Sequence, residues 1–232
     1  MDMLKKYCKL NKADYQVLFF FPLILWLLVF LGTPTIMLLV KQKDVLVLVY
    51  PAFALFVPPM MMGVYGLVLS KSCFDVNLSF GCTRKRALAL VLGHLLLCTV
   101  LTVLMYLGLH LLDSFLTPRV VAALLGFNSF HAITEAGSGL SVEFFPVHWW
   151  WFILPPFAAA LIGLSAGALI RRYGARMGWA LYALFMILIL SFNNDAPWMM
   201  GNVPVLAAAL VLLAVVGFVW AVRDLLRTSV KC

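Results

Sequence analysis

Charged residues are scarce in this sequence. Asp, Glu, Lys and Arg make up 11% of its 232 residues, whereas hydrophobic residues make up 65%. Soluble domains carry about 25% charged residues, and a chain of this length cannot bury so much apolar surface in a water-soluble core. Intrinsic disorder requires low hydrophobicity and is excluded as well. The composition therefore predicts an integral membrane protein.

Motifs that bind nucleotides are also missing. The sequence contains no G-x-x-x-x-G-K-[S/T] phosphate loop and no G-x-G-x-x-G turn, and it lacks the H-E-x-x-H pattern of zinc proteases. The apolar segments hold no Asp, Glu, Lys or Arg away from their ends, which argues against a proton relay or an ion-coupled transporter. We expect no catalytic residue and no cofactor in this chain itself.

Six apolar runs divide the sequence into candidate membrane spans. They lack the two-residue alternation of strands, so each is predicted as a helix. Most of them reach the roughly 20 residues needed to cross a bilayer. The sequence thus predicts an all-α membrane protein, with residues 1–232 forming a single transmembrane domain. The six predicted transmembrane helices cover 17–40, 45–70, 87–111, 149–170, 177–192 and 203–222.

Basic residues fall mainly on one side of these spans. If all six cross, fourteen of the seventeen Lys and Arg residues lie on the side of both termini, and only Lys41, Lys43 and Arg119 lie on the other. With four acidic residues on the first side and five on the second, the net charges are +10 and −2. The positive-inside rule then makes both termini cytoplasmic. Anionic lipid accounts for the basic excess, and nucleic acid is not expected as a partner.

Residues 1–14 are predicted to form an amphipathic helix in the plane of the inner membrane surface. Met3, Leu4, Tyr7 and Cys8 share one face, which would contact lipid. The alternative is a frayed basic tail that only orients the chain. Lysines occupy the other face: Lys5, Lys6, Lys9 and Lys12.

The five cysteines predict no disulfide. Four of them would lie on the cytoplasmic side, Cys98 would lie in the third span, and no C-x-x-C motif occurs. Because structural disulfides form in oxidising compartments, this distribution agrees with the predicted topology. We expect no metal or redox site built from cysteines.

The outer segment 112–148 is longer than a connection requires, and Asp113 is assigned to it. The segment contains His131, Glu135 and His148, and a four-residue spacing would align the first two on one helical face as metal ligands. A membrane-embedded metal enzyme that uses these three residues is therefore one alternative function. Solvated loop residues are the simpler interpretation, and we expect no metal site.

Several side chains in the spans are open to two interpretations. Phe53, Phe56 and Met60 would line a path for an amphipathic substrate, although such residues more often face lipid or the protein core. His94, in the third span, is predicted to hydrogen-bond a neighbouring helix, and contact with a substrate is the alternative.

Small residues recur at four-residue intervals in the fourth span: Ala159, Gly163 and Gly167. Such a stripe lets two helices approach closely, so it predicts helix packing. The sequence alone does not distinguish a partner helix in the same chain from one in a second copy of the protein.

The inner segment 71–86 contains the most specific pattern in the chain. Residues 77–86 read N-L-S-F-G-C-T-R-K-R. They resemble the S-F-G-x-T-R-K segment between the second and third spans of ABC-2-type transporter permeases, the small six-span membrane subunits of Gram-positive bacterial ABC exporters. The residues of interest are Asn77, Leu78, Ser79, Phe80, Gly81, Thr83, Arg84, Lys85 and Arg86.

The resemblance implies an ABCG-like, type V exporter architecture in the bacterial plasma membrane. Segment 71–86 would be a coupling helix that docks on a separate ATPase subunit, with Phe80 filling a pocket. Two ATPase subunits would bind the ATP and Mg²⁺, and a second permease subunit, identical or homologous, would complete the pathway. The implied substrate is amphipathic or hydrophobic: an antimicrobial peptide, a lipid-like compound or a drug.

The chain departs from the better-known ABCG-like relatives in one respect. Their elaborate external element lies between spans five and six, whereas here the connection 193–202 is short and segment 112–148 is long. Substrate-gate residues therefore do not carry over. Besides the metal enzyme, the remaining alternative is a non-transporting scaffold or sensor that partners another membrane protein.

Overall fold

The computed structural model describes most of the chain: residues 12–40, 45–47, 50–79, 81–125, 130–132, 140–143, 149–194 and 203–227. Within these ranges the protein is helical apart from three short strands. The helices are α1 (Lys12–Val40), α2 (Tyr50–Val68), α3 (Phe74–Ser79), α4 (Arg84–Leu125), α5 (Trp150–Tyr173), α6 (Ala175–Asn194) and α7 (Val203–Arg227), and a π-helical turn at Leu69–Cys73 joins α2 to α3. The strands are β1 (Val45–Val47), β2 (Phe130–Ala132) and β3 (Leu140–Glu143).

Three of these helices are long and apolar enough to cross a membrane: Ala13–Ile36 in α1, Arg84–Val121 in α4 and Phe152–Tyr173 in α5. A shorter apolar helix covers Phe53–Val68. A helix satisfies its backbone hydrogen bonds internally, which lipid requires, and apolar runs fold as helices for that reason. All six predicted spans coincide with helices over most of their length, so the helical prediction is confirmed, and the apolar helices indicate a membrane protein.

Helix α4 is longer than predicted. The predicted third span ends at residue 111, whereas the helix continues to Leu125 and comprises 42 residues. The assignment of Asp113 to an outer loop was therefore wrong, because Asp113 lies within α4 and is 1% exposed. Asp113 and Thr117 resemble loop residues in sequence, but both are buried on one face of the helix while Leu111 and Phe115 remain exposed.

The inner segment 71–86 is more regular than the predicted loop. It contains the end of the π-helical turn, the short helix α3 and the first residues of α4. Phe80 lies outside the described residues, as do residues 1–11 of the predicted amphipathic helix.

The three strands form one parallel sheet in the order β1-β3-β2. Val45 pairs with Ser141, and Phe130 pairs with Leu140. The sequence did not predict these strands, and residues 45–47 were wrongly assigned to the second span. The sheet joins the connection between α1 and α2 to the connection between α4 and α5.

The chain forms two compact units. The first comprises residues 1–58 and 100–153, and Tyr50, Tyr106 and Val121 are among its most buried side chains. Helix α1 of this unit exposes many apolar residues, including Phe20, Leu28 and Ile36, as a helix facing lipid does.

The second unit comprises residues 59–99 and 154–232. Its core includes large side chains that are at most 1% exposed: Met62, Leu69, Phe74, Leu164 and Leu225. Helix α7 of this unit exposes an apolar face of Leu212, Val216 and Val219, whereas Ala214, Ala221 and Leu225 on its other face are buried. Buried apolar side chains of α2, α4, α5 and α7 therefore form the core of the second unit.

Candidate functional site

Helix α3 ends in a defined stop signal. Gly81 adopts a φ of +78°, a left-handed conformation that glycine accepts at little steric cost. Its N–H donates to the Leu78 carbonyl at 3.0 Å, and the Cys82 N–H donates to the Asn77 carbonyl at 3.3 Å. These two bonds form the Schellman pattern that closes a helix. The helix stop therefore explains why a glycine occupies position 81 of the S-F-G-x-T-R-K segment, without reference to any partner protein.

A new helix begins directly after this stop. Thr83 precedes α4, and its carbonyl accepts the Ala87 N–H at 2.8 Å. The basic triplet forms the first turn of α4, and all three side chains are exposed: Arg84, Lys85 and Arg86. The triplet is thus free to contact lipid headgroups or a partner subunit.

Helix α3 has a buried side and an exposed side. Phe74 and Asn77 are buried and Leu78 is half-buried. Val76 and Ser79 are exposed, and the Ser79 hydroxyl donates to the Val76 carbonyl at 2.7 Å. The exposed side presents a small surface on which another protein can dock.

An arginine of α5 holds α3 in place. The Arg171 guanidinium lies 2.6 Å from the Asp75 carboxylate and 4.8 Å from the centre of the Phe74 ring. The ion pair is close but lacks hydrogen-bond geometry, since Asp75 Oδ1 has no hydrogen-bond partner among the described residues. The Arg171 side chain is 12% exposed and the Asp75 side chain 44% exposed, so water partly screens the ion pair while the Phe74 ring packs against the guanidinium.

Helix α7 contacts the last turn of α5 and the first turn of α4. Arg172 donates to the Asp224 carboxylate at 2.8 Å, and Arg84 donates to the Leu226 carbonyl at 3.4 Å. A pocket of about 200 Å³ opens beside this ion pair, lined by Arg172, Trp220, Arg223, Asp224 and Arg227. The elements α3, α4, α5 and α7 therefore meet around the segment that carries the resemblance.

The small residues of α5 pack against α2. A Cβ added at Gly163 would overlap the Gly63 carbonyl, and a Cβ added at Gly167 would overlap the Ser70 hydroxyl. A Cβ added at Gly63 would lie 3.7 Å from the Ala159 carbonyl. The stripe of small residues on α5 thus lies against a helix of the same chain. The sequence had left open whether that helix belongs to the same chain or to a second copy of the protein.

Two of these glycines flank Ser165 with the G-x-S-x-G spacing of many hydrolases. In hydrolases that serine occupies a sharp turn between a strand and a helix. Here Ser165 lies inside α5, is 8% exposed, and donates its hydroxyl to the Leu161 carbonyl at 2.8 Å. The spacing therefore belongs to helix packing and gives no nucleophile.

The candidate path residues Phe53, Phe56 and Met60 are all exposed on α2. Their spacing of three and four residues puts them on one face of the helix. An exposed apolar face on a membrane helix contacts lipid or a second subunit. A substrate path along these residues would therefore need a partner subunit as its other wall.

His94 makes a hydrogen bond between helices. Its Nε2 lies 2.5 Å from the Tyr65 hydroxyl of α2, and the Cys98 Sγ lies 3.7 Å from both groups. His94 is 4% exposed and Cys98 is fully buried. This geometry matches the predicted structural role of His94.

Replacing Tyr65 by phenylalanine is expected to lower stability by about 1 kcal/mol, because the buried imidazole loses its partner. For a chain of this size that is a fall of roughly 2–4 °C in the melting temperature. Thermal unfolding in detergent, followed by intrinsic fluorescence, measures it. The exposed Tyr182 of α6 provides the control, and equal melting temperatures for Y65F and Y182F would contradict the assigned role.

A separate polar cluster lies in the first unit. The Asp113 carboxylate accepts a hydrogen bond from the Thr117 hydroxyl at 2.7 Å. The Trp26 indole nitrogen of α1 approaches the same carboxylate without forming a hydrogen bond of normal geometry. Tyr50 of α2 and Tyr106 of α4 are near enough to interact electrostatically with each other, and Tyr50 also interacts with Asp113. Three helices thus converge on one carboxylate.

His110 extends this cluster towards α5. Its ring stacks on Phe152, with 4.9 Å between ring centres and 29° between planes. The His110 Nδ1 is buried and has no hydrogen-bond partner among the described residues. The Tyr50 hydroxyl is likewise buried without a hydrogen-bond partner among the described residues, and Tyr50 has no exposed surface.

Sequence reasoning missed this cluster, although a signal was present. Tyr106, His110, Asp113 and Thr117 follow one another at intervals of four, three and four residues, which places them on one helical face. Five of the eight positions between them are leucines. A polar stripe in an otherwise apolar helix marks a face turned towards protein.

The predicted metal ligands do not form a site in the described part of the chain. His131 lies in strand β2, so the helical alignment of His131 with Glu135 was wrong, because that alignment requires a helix. Glu135 and His148 lie outside the described residues. Among the residues that are described, no three His, Cys, Asp or Glu side chains are grouped to hold a metal ion.

Two regions therefore stand out as candidate sites: the surface around α3 and the buried polar cluster around Asp113. Each is built from contacts within one unit. Comparison with known proteins adds no family, since the chain matches no protein-family model, no curated protein and no solved structure.

Proposed function

We propose that this chain is the membrane permease subunit of an ATP-driven ABC exporter. The observation that carries the proposal is helix α3, which a helical turn joins to α2 and which Arg171 fixes to α5. An ATPase that pushes on α3 would move both helices. The substrate would be amphipathic or hydrophobic, as an antimicrobial peptide, a lipid-like compound or a drug is.

Contacts at the inner end support the predicted topology of six spans with both termini in the cytoplasm. Asp75 contacts Arg171, Arg172 contacts Asp224, and Arg84 contacts the Leu226 carbonyl. The charged residues among them were assigned to the cytoplasmic side from the predicted spans and the distribution of charge. Two segments can make such contacts only if they lie on the same side of the membrane. The chain between them must therefore cross the membrane an even number of times.

The sheet supports the same topology from the other side. Strand β1 belongs to the first predicted outer connection, and strands β2 and β3 belong to the second. Hydrogen-bonded strands must lie on the same side of a membrane, because unpaired backbone groups are costly in lipid. The pairing of β1 with β3 therefore agrees with a topology in which both connections lie outside and an even number of spans separates them.

The packing of α2 on α5 supports transmission of movement. Gly63 and Gly163 bring the two backbones into contact, and Arg171 links α3 to the end of α5. Close-packed helices transmit displacement because protein interiors are nearly incompressible. Helices α2, α3 and α5 would therefore move together when an ATPase closes, and the exposed face of Phe53, Phe56 and Met60 would change its position against a second permease subunit.

The decisive experiment is a search beside this gene for one that encodes an ATP-binding cassette subunit, co-expression of the two chains, and then the Phe80→Ala substitution. We expect the wild-type chains to co-purify and to hydrolyse ATP. Because interface aromatics that fill pockets dominate binding, F80A should reduce association about tenfold or more. Affinity pull-down and ATPase rate measure the effect.

The control for this experiment is Phe115→Ala, which removes an exposed aromatic from α4, outside the inner segment. F115A should assemble like the wild type. Unchanged assembly and transport in F80A would overturn the coupling role of the segment. A purified complex that contains no ATPase at all would favour the scaffold or sensor alternative.

A further inference from the structure

We propose that the polar cluster around Asp113 is a binding site for an organic ammonium group carried by an amphipathic molecule. The cluster comprises Trp26, Tyr50, Tyr106, His110, Asp113, Thr117 and Phe152, all in the first unit. Asp113 and Thr117 lie in the last third of α4, which the predicted topology places towards the outer surface. The proposal concerns this chain alone and does not depend on ATP-driven transport.

Asp113 has no basic partner among the residues that the structure describes. Its carboxylate is 1% exposed and accepts a hydrogen bond from Thr117. No described Lys or Arg lies within ion-pair distance of it; the ion pairs seen in the described part of the chain involve Asp75 and Asp224 instead. A buried carboxylate without a cation is costly, so a cationic ligand would complete the site.

Aromatic residues lie near the carboxylate. Trp26 approaches it from α1, Tyr50 interacts with it electrostatically from α2, and Tyr106 of α4 interacts with Tyr50. The negative face of an aromatic ring attracts an ammonium group, most strongly when water is excluded. These aromatic residues would add to the attraction that the carboxylate exerts on an organic cation.

Besides the Trp26 indole nitrogen, two buried polar atoms of the cluster have no hydrogen-bond partner among the described residues. They are the Tyr50 hydroxyl, which belongs to a fully buried residue, and the His110 Nδ1. Buried polar groups are nearly always hydrogen-bonded, so each of these atoms calls for a ligand. A hydroxyl oxygen and an imidazole nitrogen can both accept N–H bonds, and an ammonium group donates up to three.

The probe that tests this site is hexylammonium, with hexanol as the neutral molecule of equal length. The chain is purified alone in an uncharged maltoside detergent, and ligand-observed NMR measures binding. We expect hexylammonium to bind about tenfold or more tightly than hexanol, because only the ammonium pairs with a buried carboxylate. Equal affinity of the two probes would overturn the proposal.

Three variants separate binding from folding. Asp113→Asn keeps the shape of the side chain and should abolish the preference for hexylammonium. Asp14→Asn removes a carboxylate from the first turn of α1 and should leave binding unchanged. Tyr50→Phe removes a hydroxyl that pairs with no described group, so its melting temperature should be equal to or above that of the wild type while hexylammonium binding weakens.

The Y50F variant still tests the site if D113N does not fold. Wild-type affinity in Y50F would count against the site. Competition then identifies the natural source of the ammonium group. Displacement of the probe by phosphatidylethanolamine, but not by phosphatidylglycerol, would indicate a lipid headgroup, whereas displacement by lysine amide alone would indicate a free or peptide-borne amine. Displacement by none of these compounds would overturn the assignment of a lipid or a peptide-borne amine as the natural ligand.

Discussion

Replacing Gly163 by alanine is expected to destabilise the protein by about 1–3 kcal/mol, the usual cost of forcing extra atoms into a packed interface. The added Cβ would overlap the Gly63 carbonyl, which belongs to the backbone of α2. A backbone carbonyl cannot rotate away as a flexible side chain does, so the two helices must separate. The melting temperature in detergent should fall by roughly 2–10 °C, and the yield of monodisperse protein should fall with it.

Gly93→Ala is the matched control for this prediction. Gly93 also lies inside a helix, α4, but a Cβ added there meets nothing within 4 Å. Alanine is the better helix former by about 1 kcal/mol, so G93A should melt at or above the temperature of the wild type. If G163A and G93A behaved alike, the close packing of α2 on α5 would be refuted.

Replacing Arg171 by alanine is expected to separate ATP hydrolysis from transport. The substitution removes both the ion pair with Asp75 and the stacking on Phe74, the two contacts that hold α3 to α5. Because the Asp75 side chain is 44% exposed, the loss of stability should remain near 1 kcal/mol, well below that of a fully buried pair. In vesicles that contain the proposed complex of this chain with an ATPase, we expect ATPase activity to persist while transport falls about tenfold or more.

Two further variants test the cause of this effect. Arg176→Ala removes an exposed arginine from the start of α6 and should preserve transport. The exchange Arg171→Asp with Asp75→Arg restores the attraction of opposite charges and should recover part of the transport. Full transport in R171A would show that α3 does not act through α5.

The helices could be predicted from the sequence because apolar runs have only one way to satisfy their backbone in lipid. Their ends were harder to predict. Asp113 and Thr117 suggested a loop, yet they lie on the buried face of α4, where neighbouring helices cover them. Residues 45–47 suggested a helix by their apolarity, yet they pair with β3, a partner more than ninety residues away in the chain.

The inner segment could be predicted in part. The S-F-G-C-T run indicated a special element, and the Gly81 stop explains its glycine. The attachment of α3 to Arg171 could not be foreseen, because it joins residues from two distant parts of the sequence. Likewise, the stripe of Ala159, Gly163 and Gly167 predicted contact but not the helix that provides it.

The Asp113 cluster shows a different limit. Each of its members has an ordinary alternative in sequence: an interfacial tryptophan, a core tyrosine or a loop aspartate. Only their convergence from α1, α2 and α4 reveals unpartnered atoms, and hydrogen-bond satisfaction is a property of the folded chain.

The length of α4 has a consequence for access to the protein. Its 42 residues make a helix of about 63 Å at 1.5 Å per residue. Even at a steep tilt of about 40°, a hydrocarbon layer of roughly 30 Å encloses only about 26 residues. Some four turns must therefore stand in the headgroup zone or in water. If the far end is the one that protrudes, inhibitors and antibodies that never cross the membrane would reach the segment that contains Asp113.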